Sequence, residues 1–239
     1  MSFFSRLVII LSLLAASGCA SLPAGNISDP RDPLERYNRT VFDFNDGVDR
    51  AVVKPLAQAY RDYVPVLFQN SLRNFFSNLR DVIITAHQLL QAKPEAAATA
   101  GGRVLINTTI GILGLRDPAS SMGLTKSNED FGQTFGRWGV GPGPYFVLPL
   151  LGPSTLRDAV GTVADFSLDP IGSVFEQGTG RTLAYGLIAI DRRKDLLDAQ
   201  DTIEALSFDR YSGVRDAWLA RRRSLVYDGE PPPEKFKED

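Results

Sequence analysis

The two side chains behind most nucleophilic and transition-metal chemistry occur once each in this 239-residue chain, as Cys19 and His87. One cysteine cannot close an internal disulfide, and the pair cannot assemble a His/Cys zinc site. Carboxylate pairs such as Asp165 and Asp169 have the residue types for general acid–base work, but Asp169-Pro170 reads as a turn and nothing sets the pair apart from helix-end acids. Ser120-Ser121 lacks a nucleophile-elbow context. The glycines of TIGILGL and GVGPGP lack the strand-then-helix frame of a phosphate loop. His87 sits within VIITAHQLLQA on a helical pattern and reads as a hydrogen-bonded or interfacial histidine. The basic runs Arg192-Arg193-Lys194 and Arg221-Arg222-Arg223 could meet anionic headgroups, though solvated helix faces interspersed with Asp explain them as well. A formal net charge of -2 gives no basic field for nucleic acid. No catalytic constellation, metal site or cofactor site emerges.

Cys19 has another use. A short start bearing Arg6 leads into the apolar run Leu7–Ala16, too short to span a bilayer but the size of a signal-peptide core. The run ends in Ala16-Ser17-Gly18-Cys19, which looks like a bacterial lipoprotein processing site with cleavage before Cys19 and acylation of its thiol and new amino group. Several acyl chains at about 0.8 kcal/mol per buried methylene anchor a chain durably. Ala20 follows, rather than the Asp that retains many lipoproteins at the inner membrane, so the outer membrane is expected. Residues 1–18 are thus a lipoprotein signal peptide and 19–31 an acylated tether. Residues 32–227 form a helical domain, and the charged, proline-rich segment 228–239 is expected to be disordered.

The elements of the domain are helical. Asp32-Pro33-Leu34-Glu35 reads as an N-cap, a first-turn proline and a capping glutamate. Leu34, Tyr37, Val41, Phe44, Val48 and Ala51 continue as one apolar stripe at helical spacing. Pro55 begins a helix through Tyr63, and Pro65 begins another carrying Phe68, Leu72, Phe75 and Leu79. Tyr145–Leu148 is the one plausible extended stretch. Ser154 is placed to cap a helix over Thr155–Phe166, Thr179–Leu206 reads as one long helix or two abutting ones, and Asp209–Val226 supplies the last.

Charge is unevenly spread. Uncharged blocks of eleven, twelve, nineteen and nine residues lie at 82–92, 104–115, 138–156 and 182–190, whereas the last 49 residues hold 22 of the 54 charges. The short blocks cannot span a membrane, and the longest contains four prolines. Either the helices pack their apolar faces on one another or they set them into a bilayer surface. Within Gly132–Pro153, Gly and Pro supply 10 of 22 residues, against 36 of 239 in the chain, alongside four aromatics. Such an apolar, punctuated loop is either a connection pressed into the core or a hinged flap over a lipid-sized cavity.

DPLERYNRTVFDFNDGVDRAVVKPLAQAYRDYVP (Asp32–Pro65) and EDFGQTFGRWGVGPGPYFVLPLLGPSTLRDAVG (Glu129–Gly161) resemble the two hallmark stretches of the MlaA/VacJ family of outer-membrane lipoproteins. Weaker similarity runs through SLRNFFSNLRD (Ser71–Asp81) and VLINTTIGILGLRDPA (Val104–Ala119), so the resemblance covers roughly Asp29 to Tyr227. It implies an all-α fold: a single disc- or ring-like domain of short amphipathic helices embedded in the periplasmic leaflet of the outer membrane, with an amphipathic pore and an apolar Gly/Pro-rich loop. It also implies the task of removing mislocalised phospholipid from the outer leaflet, with a trimeric outer-membrane porin and a soluble periplasmic lipid carrier as partners, and without metal or catalysis. On that reading Asn38, Phe42, Asp43, Phe44 and Asn45 border the lipid pathway, with Asp43 standing where the family often has a neutral amide. The Gly139–Gly152 flap gates it, with Gly141 and Gly143 as hinges and Tyr145, Phe146, Leu148, Leu150 and Leu151 as its apolar face. Two other classes remain: a periplasmic scaffold lipoprotein that binds porins or envelope partners without moving lipid, and a lipid hydrolase, which would need a nucleophile.

Overall fold

The computed structural model describes residues 29–175, 178–198 and 209–233. The signal peptide, Cys19, most of the tether, residues 199–208 and the end of the tail lie outside the described residues. The chain is mostly helical, as its periodicity predicts, with one small hairpin. Helix α1 (Glu35–Val48) passes through a π-helical turn (Asp49–Val53) into α2 (Lys54–Tyr63). Then come α3 (Val66–Leu90), α4 (Pro94–Thr109), the single turn α5 (Pro118–Ser121) and α6 (Phe131–Arg137). Strands β1 (Tyr145–Leu148) and β2 (Gly152–Thr155) form the antiparallel hairpin. Helices α7 (Leu156–Leu168), α8 (Ile171–Val174), α9 (Thr179–Asp195) and α10 (Arg210–Val226) follow. Among the described residues no helix is long and apolar enough to cross a membrane.

Several starts fall where local chemistry puts them. Pro55 occupies the first turn of α2 and Pro94 that of α4, where a missing N–H costs nothing. Asp130 caps α6 and Asp209 caps α10, each accepting from a backbone N–H of the first turn. Two expected caps are displaced. Thr155, not Ser154, accepts from Asp158 N at the start of α7: β2 runs through Thr155, so the helix begins one residue later, at Leu156, and Thr155 is the residue that precedes it. Asp32 caps nothing: α1 begins at Glu35, and the Asp32 carboxylate is wholly buried in a network described below.

Apolar packing is confined to small clusters. Phe76, Ile171 and Ala184 join α3, α8 and α9, with Leu72, Phe75, Leu79, Phe175, Tyr185 and Ile188 around them. Tyr145, Val147 and Tyr211 join the hairpin to α10. The other joints are polar. Arg103 on α4 is 1% exposed and donates to Asp81 Oδ2 (3.2 Å) on α3, Asp117 Oδ2 (2.9 Å), Ser120 Oγ (3.0 Å) and Leu124 O (2.7 Å). Arg73 on α3 forks onto Asp191 on α9 at 2.8 and 3.0 Å. Arg222 on α10 spans Asp130 (2.7 Å) and Asp158 (2.8 Å), tying α10 to α6 and α7. Helices α6 and α7 meet backbone to backbone: a Cβ on Gly161 would lie 2.4 Å from Gly132 N, so only glycine permits the approach.

The large apolar side chains mostly face outward. They include Val66, Leu67 and Phe68 on α3, Leu105 on α4, Leu156, Val160 and Val163 on α7, and Leu183 on α9. Along the α1 stripe Leu34, Phe44 and Ala51 are exposed and Tyr37, Val41 and Val48 are half-buried, while the polar Asn38 beside it is buried. After α4, Ile112 and Leu113 both take φ of 56°, with Gly114 at 84°. A left-handed backbone costs about 1–2 kcal/mol per non-glycine residue, and this one presents Leu113 at 68% exposure.

Replacing Arg103 with Ala leaves Asp81 and Asp117 without their shared cation and is expected to destabilise by about 3–5 kcal/mol in denaturant unfolding. Burial pushes the Asp130 carboxyl up, but the Arg222 guanidinium and the Gln133 donors outweigh it and hold it at about 2, below the ordinary 3.8. That depressed value contributes about 2 kcal/mol of stability above pH ~4, lost as the pH falls through about 2. Unfolding midpoints measured between these pH values should therefore fall further for the parent than for Arg222→Ala.

Candidate functional site

The apolar Gly/Pro-rich segment and α1 meet along one edge of the hairpin. The Asn38 carboxamide accepts from Val147 N (2.8 Å) and donates to Tyr145 O (3.3 Å). Seven residues on, the Asn45 carboxamide accepts from Leu150 N (2.7 Å) and donates to Leu148 O (2.9 Å). Each amide takes the carbonyl of one residue and the N–H of the residue two further on, as a residue of a parallel neighbouring strand does. The geometry closes because the rises match. Seven helical residues advance about 10.5 Å, and the three strand residues between the two bonding positions advance about 10 Å. Tyr145 N donates to Arg31 O (3.0 Å), so the incoming chain covers the start of the same edge.

A buried network backs the clamp. Asn38 Nδ2 also donates to Asp32 Oδ1 (2.7 Å), and Asp32 Oδ2 accepts from Tyr211 O–H (2.5 Å) and Arg215 (3.2 Å) on α10. Burial and the Asp32 carboxylate together push the Tyr211 phenol well above its ordinary range, so it stays a donor. Phe42 packs edge-on against Tyr211 at 5.6 Å. Tyr145 and Val147 are buried against Tyr211, whereas Leu150 and Leu151 stand out at the hairpin tip, Leu150 with φ of 63°.

The expected pathway residues therefore fall into three settings. Asn38 and Asn45 hold the hairpin, and Asn38 is wholly buried, with no surface to offer a route. Phe42 is half-buried beneath the clamp. Asp43 and Phe44 are exposed on another side of α1. Along the loop, Gly139 (φ 91°) and Gly143 (φ 69°) adopt the left-handed conformation, and Gly141 does not. Pro142 O and Pro144 O accept from Arg157 N (3.1 Å) and Leu156 N (3.2 Å), fastening the loop to the start of α7. Between loop and helix lies an open apolar cavity of about 340 Å³, lined by Phe135, Val140, Gly141, Pro142, Gly143, Leu156 and Val160, with Arg157 at its side. Phe146 and Leu148 are half-buried on the other face of β1.

Residues weighed for catalysis have structural partners. Ser120 Oγ donates to Asp117 within the Arg103 network, and Asp169 accepts from Tyr185 O–H and Ile171 N. Of the basic runs, Arg193 forks onto Asp49, Lys194 reaches Gln69 and Asp191, and Arg222 takes Asp130 and Asp158. They join helices. Periodicity missed the clamp and the Asp32 network, although the seven-residue spacing of Asn38 and Asn45, which puts both on one helix face, was there to be read.

The fold and site define a mostly helical protein with inward ionic joints, outward apolar side chains and a β-hairpin docked on a helix by two carboxamides. Residues 30–225 match the model of the family described as MlaA lipoprotein, and the chain belongs to that family. It is 37% identical over 225 residues to the intermembrane phospholipid transport system lipoprotein MlaA of Shigella flexneri, covering 91% of this chain and 87% of that protein. With the protein of the same description from Haemophilus influenzae it shares 32% over 228 residues, covering 94% and 91%. A solved structure described as the structural basis for maintenance of bacterial outer membrane lipid asymmetry superposes with a TM-score of 0.73 at 35% identity, covering 82% of this chain and 98% of that one.

Asn38→Ala orphans the buried Val147 N–H and one Asp32 oxygen and is expected to cost about 1–3 kcal/mol in equilibrium unfolding. Asn45→Ala, nearer the exposed tip, should leave global stability closer to the parent but raise amide hydrogen exchange at Leu150 by about tenfold. Equal exchange in parent and variant would mean that the clamp does not hold the tip.

Proposed function

We propose that this chain is an outer-membrane lipoprotein, anchored through Cys19, that removes mislocalised phospholipids from the outer leaflet of the outer membrane and passes them to a soluble periplasmic carrier. The observation that carries this reading is membership of the MlaA family over nearly the whole domain, in a molecule whose large apolar side chains mostly face outward and in which, among the described residues, no helix is long and apolar enough to cross a membrane. Its seat is the periplasmic leaflet, as a disc with lipid against its apolar rim and a trimeric porin beside it. The relatives named for phospholipid transport and the solved structure named for lipid asymmetry support the same reading.

The chemistry asked of such a protein is transfer without bond breaking. A phospholipid needs a polar route for its headgroup while its chains stay in hydrocarbon, because burying an unpaired charge in apolar surroundings costs several kcal/mol. Amphipathic helices arranged around a polar opening meet that need without a spanning segment. The hairpin and its loop are the gate: Gly139 and Gly143 allow the backbone to swing, and the Asn38–Asn45 clamp sets its resting position against α1. Asp43 and Phe44, exposed on α1, stand beside the route rather than beneath the clamp.

In a strain lacking the gene, phospholipid in the outer leaflet should rise and the intact chain should restore the parental level, whereas Cys19→Ala should not. A disulfide engineered between α1 and the hairpin should block restoration until reduced. Restoration with the hairpin cross-linked would sink the gate. Normal outer-leaflet phospholipid in the deletion strain, with porin still captured, would support a scaffold instead. Fatty acid released in step with the chain's presence would indicate a hydrolase.

A further inference from the structure

One member of the basic run Arg192-Arg193-Lys194 joins no helices. Arg193 and Lys194 are taken up by Asp49, Gln69 and Asp191, whereas the Arg192 side chain is exposed and makes no hydrogen bond or ion pair among the described residues. Its surroundings follow from the way α3 meets α9. Gln69, Arg73, Phe76 and Arg80 recur at spacings of four, three and four, which is one face of α3. Lys194 Nζ donates to Gln69 Oε1 (2.8 Å), Arg73 forks onto Asp191, and Phe76 packs with Ala184. The partners descend along α9 as α3 advances, so the helices run antiparallel, and Arg80 continues the same face past Phe76. On α9, Arg192 lies one turn beyond Ile188, which packs against the Phe76 cluster. Long helical side chains lean toward the N-terminus of their own helix. In an antiparallel pair this leans Arg80 back toward Phe76 from one end and Arg192 back toward Ile188 from the other, so the two guanidinium groups converge.

The acids around the pair are engaged elsewhere. Asp81, next to Arg80 in the chain, is paired with Arg103 and Lys126. Asp191, next to Arg192, is held by Arg73 and reached by Lys194 at 3.3 Å. The charge of Asp169 also reaches Arg192, but its carboxylate accepts from Tyr185 O–H (2.8 Å) and Ile171 N (2.9 Å) and enters no ion pair among the described residues. The protein packed around the Arg192 guanidinium pushes it below its ordinary value, and the charge of Arg80 pushes the same way. Other arginines at the helix joints meet an acid within the fold, as Arg73, Arg103, Arg193 and Arg222 do. Like charges left side by side oppose folding, and a cost of that kind kept against the local rule marks a functional site.

We propose that Arg80 and Arg192 are a phosphate clamp, which grips the phosphodiester of a phospholipid headgroup between two guanidinium forks. Planar guanidinium groups bond phosphate oxygens in pairs, and an anion between them turns their repulsion into attraction for a shared partner. The clamp rests on the lipid-transport reading above, which makes a phosphodiester the anion at hand. Arg192 is exposed and Arg80 half-buried, so a headgroup can enter and leave without the fold opening. The clamp holds the phosphate within the polar route while the acyl chains stay in hydrocarbon.

Native mass spectrometry of the mature chain in detergent tests the clamp, with a phosphatidylethanolamine, a diacylglycerol of the same acyl chains and inorganic phosphate as probes. Phosphatidylethanolamine is expected to bind at least about tenfold more tightly than the diacylglycerol, which lacks the phosphate. The double variant Arg80→Gln with Arg192→Gln should lose that preference, and Arg221→Gln, at an exposed arginine on α10, should keep it. Equal binding of the two lipids by the parent, or an undiminished preference in the double variant, overturns the clamp. Inorganic phosphate bound without phospholipid overturns it too, and assigns the pair to free phosphate instead. Removing two facing like charges should also leave the lipid-free double variant at least as resistant to heat as the parent. Earlier unfolding would mean that the arginines have partners within the fold, against the proposal. None of these readouts needs lipid transport, so the clamp and the proposed function fail separately.

Discussion

Paired charges between helices are the interaction on which this structure depends. Arg73 with Asp191, Arg222 with Asp130 and Asp158, and Arg215 with Asp32 join parts of the chain distant in sequence, and Arg103 with Asp81 and Asp117 joins neighbouring ones. The apolar clusters between them centre on only three buried residues each. In water such a balance would be poor, since desolvating ion pairs commonly offsets their attraction and apolar burial is the main driving force. In the bilayer setting proposed here the balance reverses. Hydrocarbon outside is as apolar as leucine, so moving a leucine inward gains little, and polar contacts and close packing must hold helices together. Outward leucines and inward arginines follow from the same constraint.

That constraint also explains the hairpin. A two-stranded ribbon is marginal by itself, and an uncovered edge in apolar surroundings would leave backbone groups without partners. Two asparagines two turns apart on one helix face supply the missing strand in side-chain form, and Arg31 O completes the edge. The same polar row links the clamp through Asp32 to α10, so the first and last described helices and the hairpin form one mechanical unit.

Much of the element order was legible in the chain. Prolines 55 and 65, the extended Tyr145–Leu148 and the Asp209 start all act through local backbone chemistry, and all fall where that chemistry puts them. Asp32 was misread for the opposite reason. Its neighbours look like a capping box, but its partners Tyr211 and Arg215 lie some 180 residues away, and sequence-local reasoning cannot see them. The α1 stripe left its surroundings open, because periodicity identifies an apolar face without saying whether it turns to a core or outward. For the same reason Asn38 and Asn45 drew notice as polar residues on an amphipathic helix, while their pairing with strand backbone needed the hairpin's position.

The place where the N-terminal segment joins the fold has a further consequence. Asp29, the first described residue, is gripped by Arg31 and Arg215. Cys19 lies ten positions before it in the chain, and a fully stretched chain of that length reaches at most about 35 Å. The acylated end proposed at Cys19 is thus a leash about as long as a small domain is wide. It sets a ceiling on how far the Arg215 end of the molecule can stand from the membrane that holds it.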